Sequence, residues 1–102
     1  MKHYIVAVDS GPADESNSVS EMLTDRGCAW WHWIDNFWIV IDQKGVFTAT
    51  SLRDAILEIT HSRNLLVFEI KSRGSWAGFG PSSKKRNSST WLKKWRLDPP
   101  PG

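Results

Sequence analysis

The stretch Ala29-Trp30-Trp31-His32-Trp33-Ile34-Asp35-Asn36-Phe37-Trp38-Ile39-Val40-Ile41 decides how this chain folds. Its two runs of aromatic and β-branched residues, 29 to 34 and 37 to 41, favour strands. They flank Asp35-Asn36, a pair that tolerates the positive φ angles of a tight turn. The reading is a hairpin of strands two and three. Strict alternation puts Trp31 and Trp33 on one side and Trp30, His32 and Ile34 on the other. Both sides are then too apolar to stay in water, so one packs on helices and the other meets something else.

Working outward, Tyr4-Ile5-Val6-Ala7-Val8-Asp9 reads as a buried first strand that ends in the turn residues Ser10-Gly11-Pro12. A helix over 13 to 26 follows. Ser18 with Glu21 fits a capping box inside that segment, Asp14 offers an earlier start, and Gly27 is a natural terminator. Beyond the hairpin, Asp42 to Thr50 is a loop or a short extra pairing. Ser51 and Asp54 form a second capping signature, and Leu52, Ala55, Ile56 and Ile59 share one face of a helix over 52 to 61. Leu65 to Ile70 is almost continuously apolar, which suggests a central strand.

The order strand, helix, strand, strand, helix, strand predicts an α+β, ferredoxin-like βαββαβ fold, a four-stranded antiparallel sheet with both helices on one face. Residues 1–71 would form this core. Residues 72–102 would form a Gly/Ser-rich basic extension containing Trp76, Trp91 and Trp95, packed on the core or on a partner subunit.

Composition sets the bounds. At 102 residues, 40% hydrophobic and 24% charged, the chain has room for one modest core that oligomerisation would help to stabilise. No stretch approaches the roughly 20 apolar residues of a membrane span. The apolar run 4 to 8 is too short for an export signal, so the expectation is a cytoplasmic homo-oligomer with no membrane partner. The single Cys28 excludes an internal disulfide and any multi-thiolate metal site, and reads as a small buried hydrophobe.

The net charge of +2 hides a segregation. Residues 1–70 hold ten acids against five bases, whereas residues 71–102 hold eight bases against Asp98 alone. Such a basic segment either docks on an acidic body or meets phosphates.

Four tryptophans within nine residues exceed what one small core needs, and stacking on a base is worth roughly 1 to 3 kcal/mol per aromatic. Trp30, Trp31, His32 and Trp38 are therefore candidate ligand contacts. Lys71, Arg73, Trp76, Phe79 and Trp91 join them, because the glycine-rich turn at 74 to 81 lets backbone amides approach an anion beside two basic side chains. Each indole taken singly is equally at home in a core or an interface. His32 is either a hydrogen-bonded core histidine or an acid/base needing a carboxylate such as Asp35 or Asp9. Asp9 closes the first strand, where it either caps the turn or holds a divalent metal with a symmetry mate.

Tyr-Ile-Val-Ala-Val-Asp (4 to 9), the tryptophan hairpin (29 to 40), Leu-Leu-Val-Phe-Glu-Ile (65 to 70), Trp-Ala-Gly-Phe (76 to 79) and Ser-Thr-Trp-Leu-Lys (89 to 93) together resemble a family of short bacterial and mobile-element proteins labelled SinR. The resemblance covers most of the chain and departs at an insertion, Pro81 to Asn87. More distantly, the chain is similar to the ferredoxin-like small subunit of CRISPR spacer acquisition and to VapD-type ribonucleases. That similarity implies dimers across the sheet and, in some members, metal-dependent cleavage through an aspartate at the position of Asp9. No second catalytic residue transfers.

Three functions follow as expectations. The first is a non-catalytic nucleotide or short nucleic-acid binder without cofactor, for instance a phage or mobile-element counter-defence protein that sequesters a nucleotide signal. The second is a dimeric nuclease using Asp9 and Mg. The third is a module that inhibits another protein by binding it.

Overall fold

The computed structural model describes residues 1–9, 13–61 and 64–71. They form β1 (Lys2–Val8), α1 (Ala13–Asp25), β2 (Cys28–Ile34), β3 (Phe37–Asp42), α2 (Ala49–Thr60) and β4 (Leu65–Ile70). The four strands make one sheet in the order β2-β3-β1-β4, with every neighbouring pair antiparallel. This is the ferredoxin-like α+β arrangement. The chain divides into two units, Met1–Ile70 and Lys71–Gly102, and the first holds all six elements. The basic extension expected over 72–102 lies outside the described residues.

Strand alternation builds the core. Tyr4, Val6 and Val8 of β1 lie beside Trp38 and Val40 of β3, and this side of the sheet packs on Val19 and Leu23 of α1 and on Leu52 and Ile56 of α2. The helices supply their apolar stripe at the i, i+4 spacing that puts two side chains on one face.

The helix ends follow local chemistry, with shifts from the sequence reading. Helix α1 starts at Ala13 with Asp14 and Glu15 in its first turn, where acids favour the dipole, so the Ser18/Glu21 pair sits mid-helix and caps nothing. It stops where Gly27, at φ +78°, takes the left-handed conformation open to glycine, its N–H donating to the Thr24 carbonyl at 3.0 Å. Helix α2 starts at Ala49, earlier than the expected 52. Thr48 is the true N-cap and Ser51 is its reciprocal partner three residues on, so the box is Thr48/Ser51 and not Ser51/Asp54. Asp54 pairs instead with the neighbouring Arg53. His61 ends the helix at φ 53°.

Two further corrections concern the sheet. The apolar run 65–70 is an edge strand, not a central one. It is apolar on both sides because Leu65 and Val67 pack on the core while Leu66 and Phe68 face the other way. In the hairpin, β2 loses register between Trp31, which faces Ile39, and Ile34, which faces Phe37. His32 and Trp33 together oppose Trp38, a bulge that turns Ile34 away from the side of Trp30 and His32. Of the two turn residues, Asn36 alone takes positive φ, at 66°.

The connection after β3 is organised by a residue that composition does not flag. Asp42 is buried, and its carboxylate accepts from the Val46 N–H at 3.0 Å and the Phe47 N–H at 2.8 Å. The Phe47 carbonyl in turn accepts from the Tyr4 hydroxyl at 2.9 Å and the Lys2 ammonium at 3.1 Å. Buried backbone groups of this loop are thereby satisfied without secondary structure.

Candidate functional site

The tryptophans expected to grip a ligand divide between the two sides of the sheet. Trp30 and Trp38 lie on the helix side, and α1 supplies each indole with an acceptor. Trp30 Nε1 donates to Thr24 Oγ1 at 2.9 Å, and Trp38 Nε1 donates to Ser20 Oγ at 3.3 Å. Thr24 Oγ1 passes its own proton to the Ser20 carbonyl at 3.0 Å, an i−4 bond along the helix. A buried indole N–H needs such a partner, and hydroxyls four residues apart on α1 stand one above the other to receive the two rings. Trp38 is 2% exposed.

His32 belongs to the same assembly. Its ring lies parallel to Trp38, with centroids 3.8 Å apart and an interplanar angle of 1°. Its Nδ1 is 2.8 Å from the Phe37 carbonyl, an atom that only accepts, so Nδ1 carries the proton and donates. The register puts the ring there, since one step beyond the Trp31–Ile39 pair sets His32 opposite Trp38. Trp30, His32 and Trp38 thus come together, but as a joint between α1 and the hairpin.

Trp31 points to the opposite side. It is buried, and it meets Phe37 edge-on at 6.2 Å and 85°. Apart from His3, the described strand residues of this outer side are apolar. One row across the sheet runs Trp31, Ile39, Ile5, Phe68, and the next runs Ile34, Phe37, Ala7, Leu66. Burial is uneven along them. Trp31 is covered, whereas Ile34, Phe68 and Leu66 are 58%, 59% and 62% exposed. Sequence reasoning missed these last three, although the alternation in 65–70 carried the signal once β4 is known to be an edge.

Asp9 is exposed just past β1, its N–H donating to the Asn64 carbonyl at 2.9 Å. It borders a shallow depression of about 460 Å³ lined by Ala7, Val8, Asn64, Leu65 and Leu66. Among the described residues, no three His, Cys, Asp or Glu side chains gather to hold a metal ion. Lys71 follows β4 directly and is exposed. Arg73, Trp76, Phe79 and Trp91 lie outside the described residues.

Two perturbed groups sit on the helix side. Burial pushes the Cys28 thiol up to about 11, with the Asp42 carboxylate adding to the shift and Arg26 opposing it. Such a thiol is a poor nucleophile at neutral pH, in keeping with a small core residue. Burial also raises the Tyr4 phenol, helped by Glu69 and Asp42. Neither group borders the depression at Asp9. No helix among the described residues is long and apolar enough to cross a membrane.

Comparison with protein-family models, with curated proteins and with solved structures gave no match.

Proposed function

We propose that this chain is a non-catalytic binding module that holds another protein against the outer side of its sheet. The observation that carries the reading is the exposure of Ile34, Leu66 and Phe68, each more than half open, on a side where Ile5, Phe37 and Ile39 adjoin them, Trp31 and Ile41 are buried, and His3 is the polar member. Full burial of one such side chain is worth about 1.5 to 3 kcal/mol, so covering the open part of all three gives roughly 3 to 5 kcal/mol. That is a large share of what a modest interface needs, and no chemistry is required of it.

The same side is a poor match to a nucleotide. Its described residues include no lysine or arginine to meet a phosphate, and the indoles Trp30 and Trp38 are committed to α1. A nucleotide site then rests on Lys71 and on residues outside the described ones. A nuclease rests on Asp9 with ligands that the described residues do not gather around it.

Affinity capture from cells that carry the gene tests this, using the full chain beside a Leu66→Asp, Phe68→Glu double variant of unchanged circular dichroism. The expected result is a protein retained at least tenfold better by the unaltered chain. Equal retention sinks the reading, and so does a thermal shift with cyclic dinucleotides or short oligonucleotides that both chains show alike. Magnesium-dependent cleavage of RNA or DNA that Asp9→Asn abolishes would put an enzyme in its place.

A further inference from the structure

Resting on the protein-binding reading, we infer that β4 takes its partner as an added strand: an extended segment with apolar side chains at alternate positions and a basic residue at its C-terminal end. Three independent features of the edge lead there.

The first is the direction of the backbone groups. Asp9 N–H bonds the Asn64 carbonyl, and Val8 N–H bonds the Asn36 carbonyl, so odd residues of β1 bond β4 and even ones bond β3. Hydrogen-bonded pairs recur every second residue in an antiparallel ladder. Hence Asn64, Leu66, Phe68 and Ile70 turn their amides toward β1, and Leu65, Val67 and Glu69 turn theirs outward. Among the described residues no strand lies on that outward side.

The second feature is the absence of protection. Edge strands are usually blunted by a bulge, a proline or an outward charge, because a regular apolar edge templates further pairing. The other edge, β2, has its bulge at His32–Trp33. Strand β4 runs in unbroken register from Leu65 to Ile70, without proline, and its one charge, Glu69, stands on the helix side with Tyr4. Leu66 and Phe68 remain open on the outer side, where neighbouring side chains of an added strand would cover them, an aromatic cross-strand pair being among the better ones.

The third feature is the depression at the start of β4. A strand antiparallel to β4 ends its C-terminal course beside Asn64, and there the exposed Asp9 carboxylate borders the open volume. Lysine or arginine at that end of the incoming segment meets Asp9. The apolar positions give affinity and the carboxylate sets direction.

Fluorescence polarisation of the full chain with an array of labelled eight-residue peptides tests the proposal. Each peptide alternates valine, isoleucine or phenylalanine with threonine and ends in lysine, threonine or glutamate. Lysine-ended peptides bind tightest, and Asp9→Lys reverses the preference between lysine and glutamate, each arm by about two- to fivefold, the size of an exposed charge pair. N-methylation of one alternate set of peptide amides weakens binding at least tenfold, and methylation of the other set leaves it within twofold. That period of two is specific to strand addition.

Strand addition is overturned if no peptide in the array binds, or if both methylated sets weaken binding equally. If peptides fail while the capture experiment still depends on Phe68, the outer side binds protein in another way. If both fail, the binding reading falls with it. Sedimentation of the chain alone covers the remaining occupant, because a stable assembly abolished by Phe68→Glu would put a second copy of this chain on the edge and overturn the foreign strand.

Discussion

The two sides of one hairpin solve the same problem differently. On the helix side, the rings that carry a polar atom are all provided for: Trp30 by Thr24, Trp38 by Ser20, His32 by the Phe37 carbonyl. On the outer side, the open side chains Ile34, Leu66 and Phe68 are pure hydrocarbon and need no hydrogen bond, only cover. A ring with an N–H commits its owner to a place where an acceptor waits, whereas a hydrocarbon commits to nothing until a neighbour arrives. Trp30 and Trp38 therefore mark the joint with α1 while Trp31 of the same cluster turns outward, and the open surface is marked by plainer residues.

If that division is right, the largest effect belongs to the inner ring. Trp38→Ala removes a 2%-exposed indole together with the stacking partner of His32 and the load on Ser20. Urea unfolding is expected to show a loss of about 3 to 5 kcal/mol, the usual range for emptying an aromatic core site. A loss below 1 kcal/mol would mean that the ring is not part of the core and would erase the contrast.

The hairpin was legible because its signals are local. Two β-rich runs around Asp35-Asn36 need no long-range information, and the order of elements then leaves few topologies open. Periodicity also located Leu52 and Ile56 of α2 correctly. What failed depended on neighbours in space. Strict alternation sent Ile34 to the wrong side because a bulge is a decision made jointly by β2 and β3, and nothing in His32-Trp33 announces it. Leu65 to Ile70 looked central because a strand flanked by helices on one side and open hydrocarbon on the other has the composition of one buried on both. The acceptors Ser20 and Thr24 read as ordinary helix-surface residues until the indoles are seen above them. Asp42 passed unnoticed for the same reason, its two partners being amides whose direction no residue type records.

A second, smaller effect confines itself to the inner side and separates it from the outer by pH. Cys28 holds its proton to about 11 in the folded chain against an ordinary 9.0. Below pH 9 the thiol is neutral in both states and its contribution is fully present. As pH rises from 9 toward 11, the unfolded chain releases the proton first, so it binds fewer protons than the folded chain and stability falls. The loss expected over that window is roughly 2 to 3 kcal/mol, at about 1.4 kcal/mol per unit. Denaturant titrations at pH 8.5 and 11 measure it, with Cys28→Ala as the control whose slope over the same interval should be markedly flatter. An unchanged slope in the variant would move the cause to other groups, Tyr4 first, since its phenol is raised in the same direction.

The smallest effect on stability carries the most weight for function. Phe68 is 59% exposed on an edge strand, so Phe68→Ser should change the unfolding free energy by no more than about 0.5 kcal/mol, as is usual for surface positions. An aromatic ring is lost here at far lower cost than at Trp38 because its cover is not supplied by the described fold. Binding should respond in the opposite order: Phe68→Ser weakens capture of the partner, while Trp38 variants that stay folded leave it unchanged. Should Phe68→Ser instead cost 2 kcal/mol or more, the outer side would already be closed by contacts within the chain, the contrast between the two sides would vanish, and with it the reason to place a partner there.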